Sequence, residues 1–171
     1  MNTKTLVSLS LLVGIGAVLH ALIPGIIFGM KPDLMLIMMF LGIFLLPGLK
    51  NAVLLGGVTG VISGLTTTFP GGLIPNIIDK FFSALIMFLL FSLVRKLSKP
   101  LAVSLALTFI GTLISGMIFL GSALIIVGLP GPFLALAAGV VLPATIINTI
   151  AMAFIYPIAS GVFKRSNIAV N

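Results

Sequence analysis

The chain has 171 residues, of which 60% are apolar and 6% charged, with a net charge of +7 and a mean hydropathy of +1.41. So few charges cannot cover the surface of a soluble domain, so lipid is the solvent for most of the chain. No basic run is interleaved with aromatics, which argues against a nucleic-acid surface, and the absence of cysteine excludes a disulfide framework, a thiol catalyst and a cysteine metal site.

Met1–Lys4 and the apolar run after it have the outline of a signal peptide. No small-x-small cleavage site after a polar stretch is evident, and the rest of the chain is equally apolar. Thr5–Ile23 is therefore read as the first membrane helix, closed by Pro24-Gly25. A second helix runs from Pro32, a good first helical residue because its missing N–H is unpaired there anyway, to Leu46 before Pro47-Gly48. It is shorter than the roughly 20 residues that a span needs. A third covers Asn51–Thr68 and ends at Phe69-Pro70-Gly71-Gly72. A fourth covers Ile77–Val94, with Asn76 as its cap and Asp79 three residues later in a variant of the capping box. Residues 101–163 carry no charge, which is too long for one span and right for two, with a break at 128–132. The expected fold is an all-α membrane protein of six transmembrane helices, one domain over residues 1–171.

The scarce charges orient this bundle. Lys4, Lys50, Arg95, Lys96, Lys99, Lys164 and Arg165 lie in polar breaks with no acid nearby, whereas Lys31 pairs in sequence with Asp33 and Lys80 with Asp79. Six spans put the seven bare positives on one side and the two mixed pairs on the other, so both termini are expected to be cytoplasmic.

Structure alone explains some of the remaining residues. Gly56, Gly60 and Gly64 form a small-xxx-small ladder, which suits close packing inside the bundle. Ala17 and Ala21 repeat that spacing on the first helix, where packing and the docking of a partner subunit are both open. His20, a lone histidine near a helix end, reads as an interfacial or packed residue before a proton relay. Thr66, Thr67 and Thr68 are expected to satisfy backbone carbonyls. Asp33 and Asp79 each fall in a first turn, where a carboxylate complements the helix dipole.

The dipole does not explain Lys31 and Lys80, and Asp79 and Lys80 are expected to diverge as helical neighbours. A further anion is therefore expected to face those lysines. Outward helix N-termini, a lysine and an aspartate together suit a zwitterion such as an amino acid. Phe28, Met30, Phe69 and Phe133 are expected to supply apolar walls. Asn148, deep in the last apolar run, serves either as glue between helices or as a ligand contact. The candidate substrate-binding set is thus Lys31, Asp33, Asn76, Asp79, Lys80 and Asn148. No zincin, phosphate-binding-loop or nucleophile-elbow motif is present, so neither an enzyme nor an ATPase is expected. Two carboxylates are too few for a multi-carboxylate metal site, and no cofactor is expected.

The segments Gly29-Met30-Lys31-Pro32-Asp33, Phe69 to Lys80, Val141-Leu142-Pro143-Ala144 and Asn148-Thr149 resemble the small bacterial tryptophan transport proteins, the TrpP family, and the similarity runs over essentially the whole chain. That family resembles in turn the substrate-binding S components of energy-coupling factor (ECF) transporters. Those are six-helix proteins that bind substrate from outside and dock a coupling subunit through small residues of helix 1, as Ala17-Val18-Leu19-His20-Ala21 would. The resemblance implies tryptophan uptake across a bacterial cell membrane, with ECF transmembrane and ATPase subunits as partners that would supply ATP coupling. Two alternatives stand beside it: an S component for a vitamin or precursor such as biotin or thiamine, and a non-transporting membrane assembly subunit.

Overall fold

The computed structural model describes residues 3–22, 33–97 and 99–166. Among them are six helices: α1 Thr3–Leu22, α2 Leu34–Leu45, α3 Leu49–Leu65, α4 Leu73–Val94, α5 Pro100–Ile126 and α6 Phe133–Arg165. A π-helical turn at Ala137–Val141 interrupts α6 near its start. The break between α5 and α6 falls where the Gly/Pro cluster predicts it.

Helix α2 is the axis of the bundle. All twelve of its residues are buried, and it touches each of the other five helices. A helix that is apolar all round needs neighbours on every side, and Leu34–Leu45 has no polar face to offer water or headgroups. At about 1.5 Å per residue it spans about 18 Å, which explains its shortness: it is enclosed by protein and need not match the bilayer. Helices α1, α4, α5 and α6 are long and apolar enough to cross a membrane, and α3 is a shorter apolar helix.

The outer helices are polar inside and apolar outside. On α4 the buried residues are Pro75, Asn76, Asp79, Lys80, Ser83, Ala84 and Met87. On α5 they include Ser104, Thr108, Gly111, Thr112 and Ser115. Leu93, Ile125, Leu134 and Ile158 stand on the exterior. An apolar exterior of this extent belongs against lipid, so this is a multi-pass membrane protein.

Lipid is as apolar as leucine, so close van der Waals contact replaces the hydrophobic effect in holding helices together. The glycine ladder of α3 supplies that contact against α4. A Cβ on Gly56 would sit 2.9 Å from Ala84 Cβ and 3.1 Å from the Lys80 carbonyl, and one on Gly60 would sit 3.0 Å from Ile77 Cα. The ladder is thus intramolecular. On α1 the close approach is made by Gly16 against Met38; Ala17 is half-buried and Ala21 is exposed.

Helix α4 begins at Leu73 behind Gly72, four residues before the predicted start at Ile77. Pro75 is accommodated because the first turn has no intrahelical N–H bond to lose. The α3–α4 link contains a turn closed by the Gly72 N–H donating to the Phe69 carbonyl at 3.0 Å. Pro70 and Gly71, with Gly71 at φ +70°, occupy its centre as a type II turn requires.

Replacing Gly60 by valine is expected to destabilise the bundle by about 1–3 kcal/mol, because backbone rather than a flexible side chain opposes the new methyls. At Gly57 a Cβ meets nothing within 4 Å, so Gly57→Val is the matched control. Thermal unfolding of both purified variants in detergent checks this; equal melting temperatures would contradict the α3–α4 contact.

Candidate substrate site

A cavity of about 390 Å³ lies among α1, α2, α3, α4, α5 and α6, within the roughly 300–1,000 Å³ usual for small-molecule sites. It draws on the ends of helices that carry none of the seven bare positives: His20 late in α1, Asp33 before α2, Ser63 to Phe69 at the end of α3, and Asn76 to Lys80 early in α4. The cavity is thus at the opposite end of the bundle from the bare cations.

Three charged side chains form its floor. Lys80 Nζ donates to Asp33 Oδ2 at 2.8 Å and to Asp79 Oδ2 at 2.7 Å. Asp79 Oδ1 accepts from Ser83 Oγ at 2.9 Å, one helical turn further along α4. The Asp79 and Lys80 side chains are 1% and 4% exposed, whereas that of Asp33 is 31% exposed, so Asp33 is the acid that a ligand reaches first. Asp33 also caps α2: its Oδ1 accepts from the Leu36 N–H at 3.0 Å, satisfying a donor that the helix start leaves open.

Two expectations are corrected here. Asp79 is not a capping residue, because it lies in the second turn of a helix that starts at Leu73. Asn76 does not cap either; its Nδ2 donates back to the Gly72 carbonyl at 2.7 Å. Nor do Asp79 and Lys80 diverge beyond reach. Their Cβ atoms leave the helix in different directions, but the four-carbon lysine stem folds round far enough to meet its neighbour. Lys80 therefore already has two carboxylate partners within the protein. Asp33, Asp79 and Lys80 together place two carboxylates around one lysine, with His20 lining the same cavity.

Asn148 joins the site from α6. It is fully buried, and its Oδ1 accepts the Asp33 N–H at 2.8 Å, with Nδ2 3.5 Å from Thr112 Oγ1. It is helix glue between α6 and the start of α2, and it also lines the cavity. Asn76 and His20 line it too. Thr66 Oγ1 donates to the Ile62 carbonyl at 2.8 Å, the role expected of it, whereas Thr67 Oγ1 accepts the Phe69 N–H at 3.2 Å, and Thr66, Thr67 and Thr68 all line the cavity. Lys31, Phe28 and Met30 lie outside the described residues. Phe69 is in the wall and Phe133 is not.

The wall also contains residues outside the expected set. Phe119 packs edge-on to Phe69 with centroids 5.3 Å apart. Ser63, Thr112, Ser115, Leu136, Val140 and Val141 line the cavity as well. The stripe Ser104, Thr108, Thr112 and Ser115 recurs at helical spacing through an otherwise apolar span, a legible sign of an inward polar face. Leu136 and Val140–Val141 come from the π-helical turn and its edge, a feature that often accompanies functional sites.

Residues 2–164 match the family described as tryptophan transporter TrpP. The chain belongs to the TrpP family. The "probable tryptophan transport protein" of Bacillus subtilis (strain 168) is 56% identical over 167 residues, spanning 98% of this chain and 96% of the relative. Proteins of the same description from Clostridium acetobutylicum and Clostridium perfringens (strain 13 / Type A) are 45% and 37% identical, covering 91% and 98% of this chain and 91% and 97% of their own. No solved structure matches the chain. In this TrpP family member, the six-helix bundle and the cavity are therefore read from its own geometry.

The triad makes a specific stability prediction. Lys80→Met leaves the buried Asp79 and the partly exposed Asp33 without their shared cation, a loss of about 3 kcal/mol, the low end for breaking a buried pair. Asp79→Asn combined with Lys80→Met removes one of those charges and is expected to unfold at a higher temperature than Lys80→Met alone. Thermal unfolding in detergent measures the order; a double variant no more stable than the single one would contradict the pairing.

Proposed function

We propose that this chain is a membrane transporter for the uptake of L-tryptophan, and that the cavity holds the amino acid during transport. The relatives' descriptions support the substrate, and the site suits it chemically. The observation that carries the reading is the floor of the cavity, where two carboxylates share one lysine and Asp33 is the acid within reach. An α-ammonium suits that reachable carboxylate. Lys80 has three donors, two of which are placed on Asp33 and Asp79; the third, together with the amides of Asn76 and Asn148, suits an α-carboxylate. Phe69 and Phe119 offer a surface for an indole ring in the offset or edge-on arrangements that aromatics favour.

Orientation follows from the charge asymmetry. The bare positives suit the cytoplasmic side, a reading in which both termini are inside and the cavity opens outward for capture. Cysteine reporters in this cysteine-free chain test it: a membrane-impermeant thiol reagent added to intact cells should label Thr68→Cys and not Asn51→Cys, and the reverse pattern would overturn it. The finer reading is that the chain works as the substrate-binding subunit of an ECF-type, ATP-driven system. In its support, the chain has no nucleotide-binding motif of its own, and α1 turns Ala21 outward. Co-purification of an ATPase-bearing complex supports that arrangement; tryptophan accumulation in vesicles containing this chain alone would overturn it.

The substrate proposal is tested by uptake of labelled tryptophan in cells lacking other routes, where removing the chain should abolish accumulation and unchanged uptake would sink the proposal. Binding has a direct readout as well. A ligand at 100 times its dissociation constant stabilises the folded state by about 2.7 kcal/mol, so tryptophan should raise the melting temperature. Asp33→Asn keeps a side-chain oxygen for the α2 cap and removes the charge. It is expected to fold and to bind tryptophan about tenfold or more weakly, since hydrogen bonds to charged groups contribute about 1.5–3 kcal/mol.

A further inference from the structure

Two side-chain hydroxyls among the described residues are buried without a hydrogen-bond partner, Thr59 Oγ1 and Ser63 Oγ. They lie one turn apart on α3, and only Ser63 lines the cavity. Ser63 is 6% exposed, so bulk water does not readily satisfy it, and a helical serine commonly donates to the carbonyl one turn back instead. Thr66, Thr145 and Thr149 make that bond here, whereas Ser63 does not. Its neighbours in the wall are already engaged. Thr66 donates to Ile62, Thr67 accepts from Phe69, and Thr112 stands 3.5 Å from Asn148 Nδ2. A buried polar atom left unsatisfied is unfavourable by itself and persists where something else completes it.

The group that completes it follows from what the rest of the cavity does. In the proposed binding mode the charged triad takes the ammonium and carboxylate ends, while Phe69 and Phe119 offer an aromatic wall. Tryptophan has one more polar atom, the indole N–H, which donates and cannot accept and usually finds a partner when buried. Ser63 Oγ has free lone pairs and lies six residues before Phe69 in the same wall. Resting on the tryptophan reading above, we infer that Ser63 accepts the indole N–H and is the residue by which the site prefers tryptophan to other large apolar amino acids. Phenylalanine or methionine would fill the volume but leave the serine hydroxyl without a partner. A site built around a hydrogen bond discriminates strongly against ligands that lack it, whereas shape alone discriminates weakly.

The test uses the purified full-length protein and two ligands, L-tryptophan and β-(3-benzothienyl)-L-alanine, in which sulfur replaces the indole N–H at nearly the same size. The wild type should prefer tryptophan about tenfold or more. In Ser63→Ala the preference should fall to within about twofold, through weaker tryptophan binding and unchanged binding of the sulfur analogue. Ser63→Thr, which retains a hydroxyl, should keep the preference. Equal affinities in the wild type overturn the inference without any variant, and a tenfold preference that survives in Ser63→Ala overturns it as well. Wild-type protein that binds neither ligand overturns the tryptophan reading together with this one.

Discussion

Charge buried in a bilayer must find its partner inside the protein, and the structure is arranged around that constraint. The only two carboxylates of the chain converge on one lysine, from the cap of α2 and the second turn of α4. Asn148 ties the same cap to α6, and Ser83 ties Asp79 to its own helix. Water would otherwise satisfy these groups, and without it each must be held by another element. The triad therefore does two things at once. It ties the start of α2 to the start of α4, where Asn148 adds the middle of α6, and it presents Asp33 to a cavity.

Close packing makes that arrangement possible. Gly56 and Gly60 bring α3 against the backbone of α4 at the level of Lys80 and Ile77, which fixes the face of α4 that turns inward. Helix α2 fills the centre with apolar side chains and carries its single polar contribution at its tip. The long helices then place their serines, threonines and amides inside and their leucines and isoleucines outside. The cavity opens where the ends of these helices gather their charged and amide side chains, away from the bare cations.

Much of this was legible in the sequence. The helix count, the α5–α6 break, the packing role of the glycine ladder and the separation of bare from paired charges follow from bilayer length, the Gly/Pro cluster, small-residue spacing and charge placement. The start of α4 was misread because Asn76 and Asp79 are three residues apart. That spacing marks a capping box, but it is also the repeat of an inward helix face, here continued by Lys80, Ser83 and Met87. The expectation that Asp79 and Lys80 diverge came from helices in water, where a lysine head has solvent to turn to; in a sealed interior it turns to the nearest carboxylate. Ser63 carried no sequence signal that sets it apart from other helical serines, because its missing partner is a property of three-dimensional packing. The capping role of Asp33 was foreseen as a dipole effect, while its tie to Asn148, 115 positions away, was beyond any local pattern.

The lysines first suggested an anion as the thing the site lacks. Lys80 proves to be committed twice over, and Asp33 is the charged group that stays within a ligand's reach. The most direct measurement is the affinity of the wild-type protein, by calorimetry in detergent, for tryptophan, tryptamine and indole-3-propionate, which lack neither charge, the carboxylate and the ammonium respectively. If the triad holds the ammonium, indole-3-propionate binds far more weakly than tryptamine; indole-3-propionate binding as tightly as tryptophan itself would contradict the account.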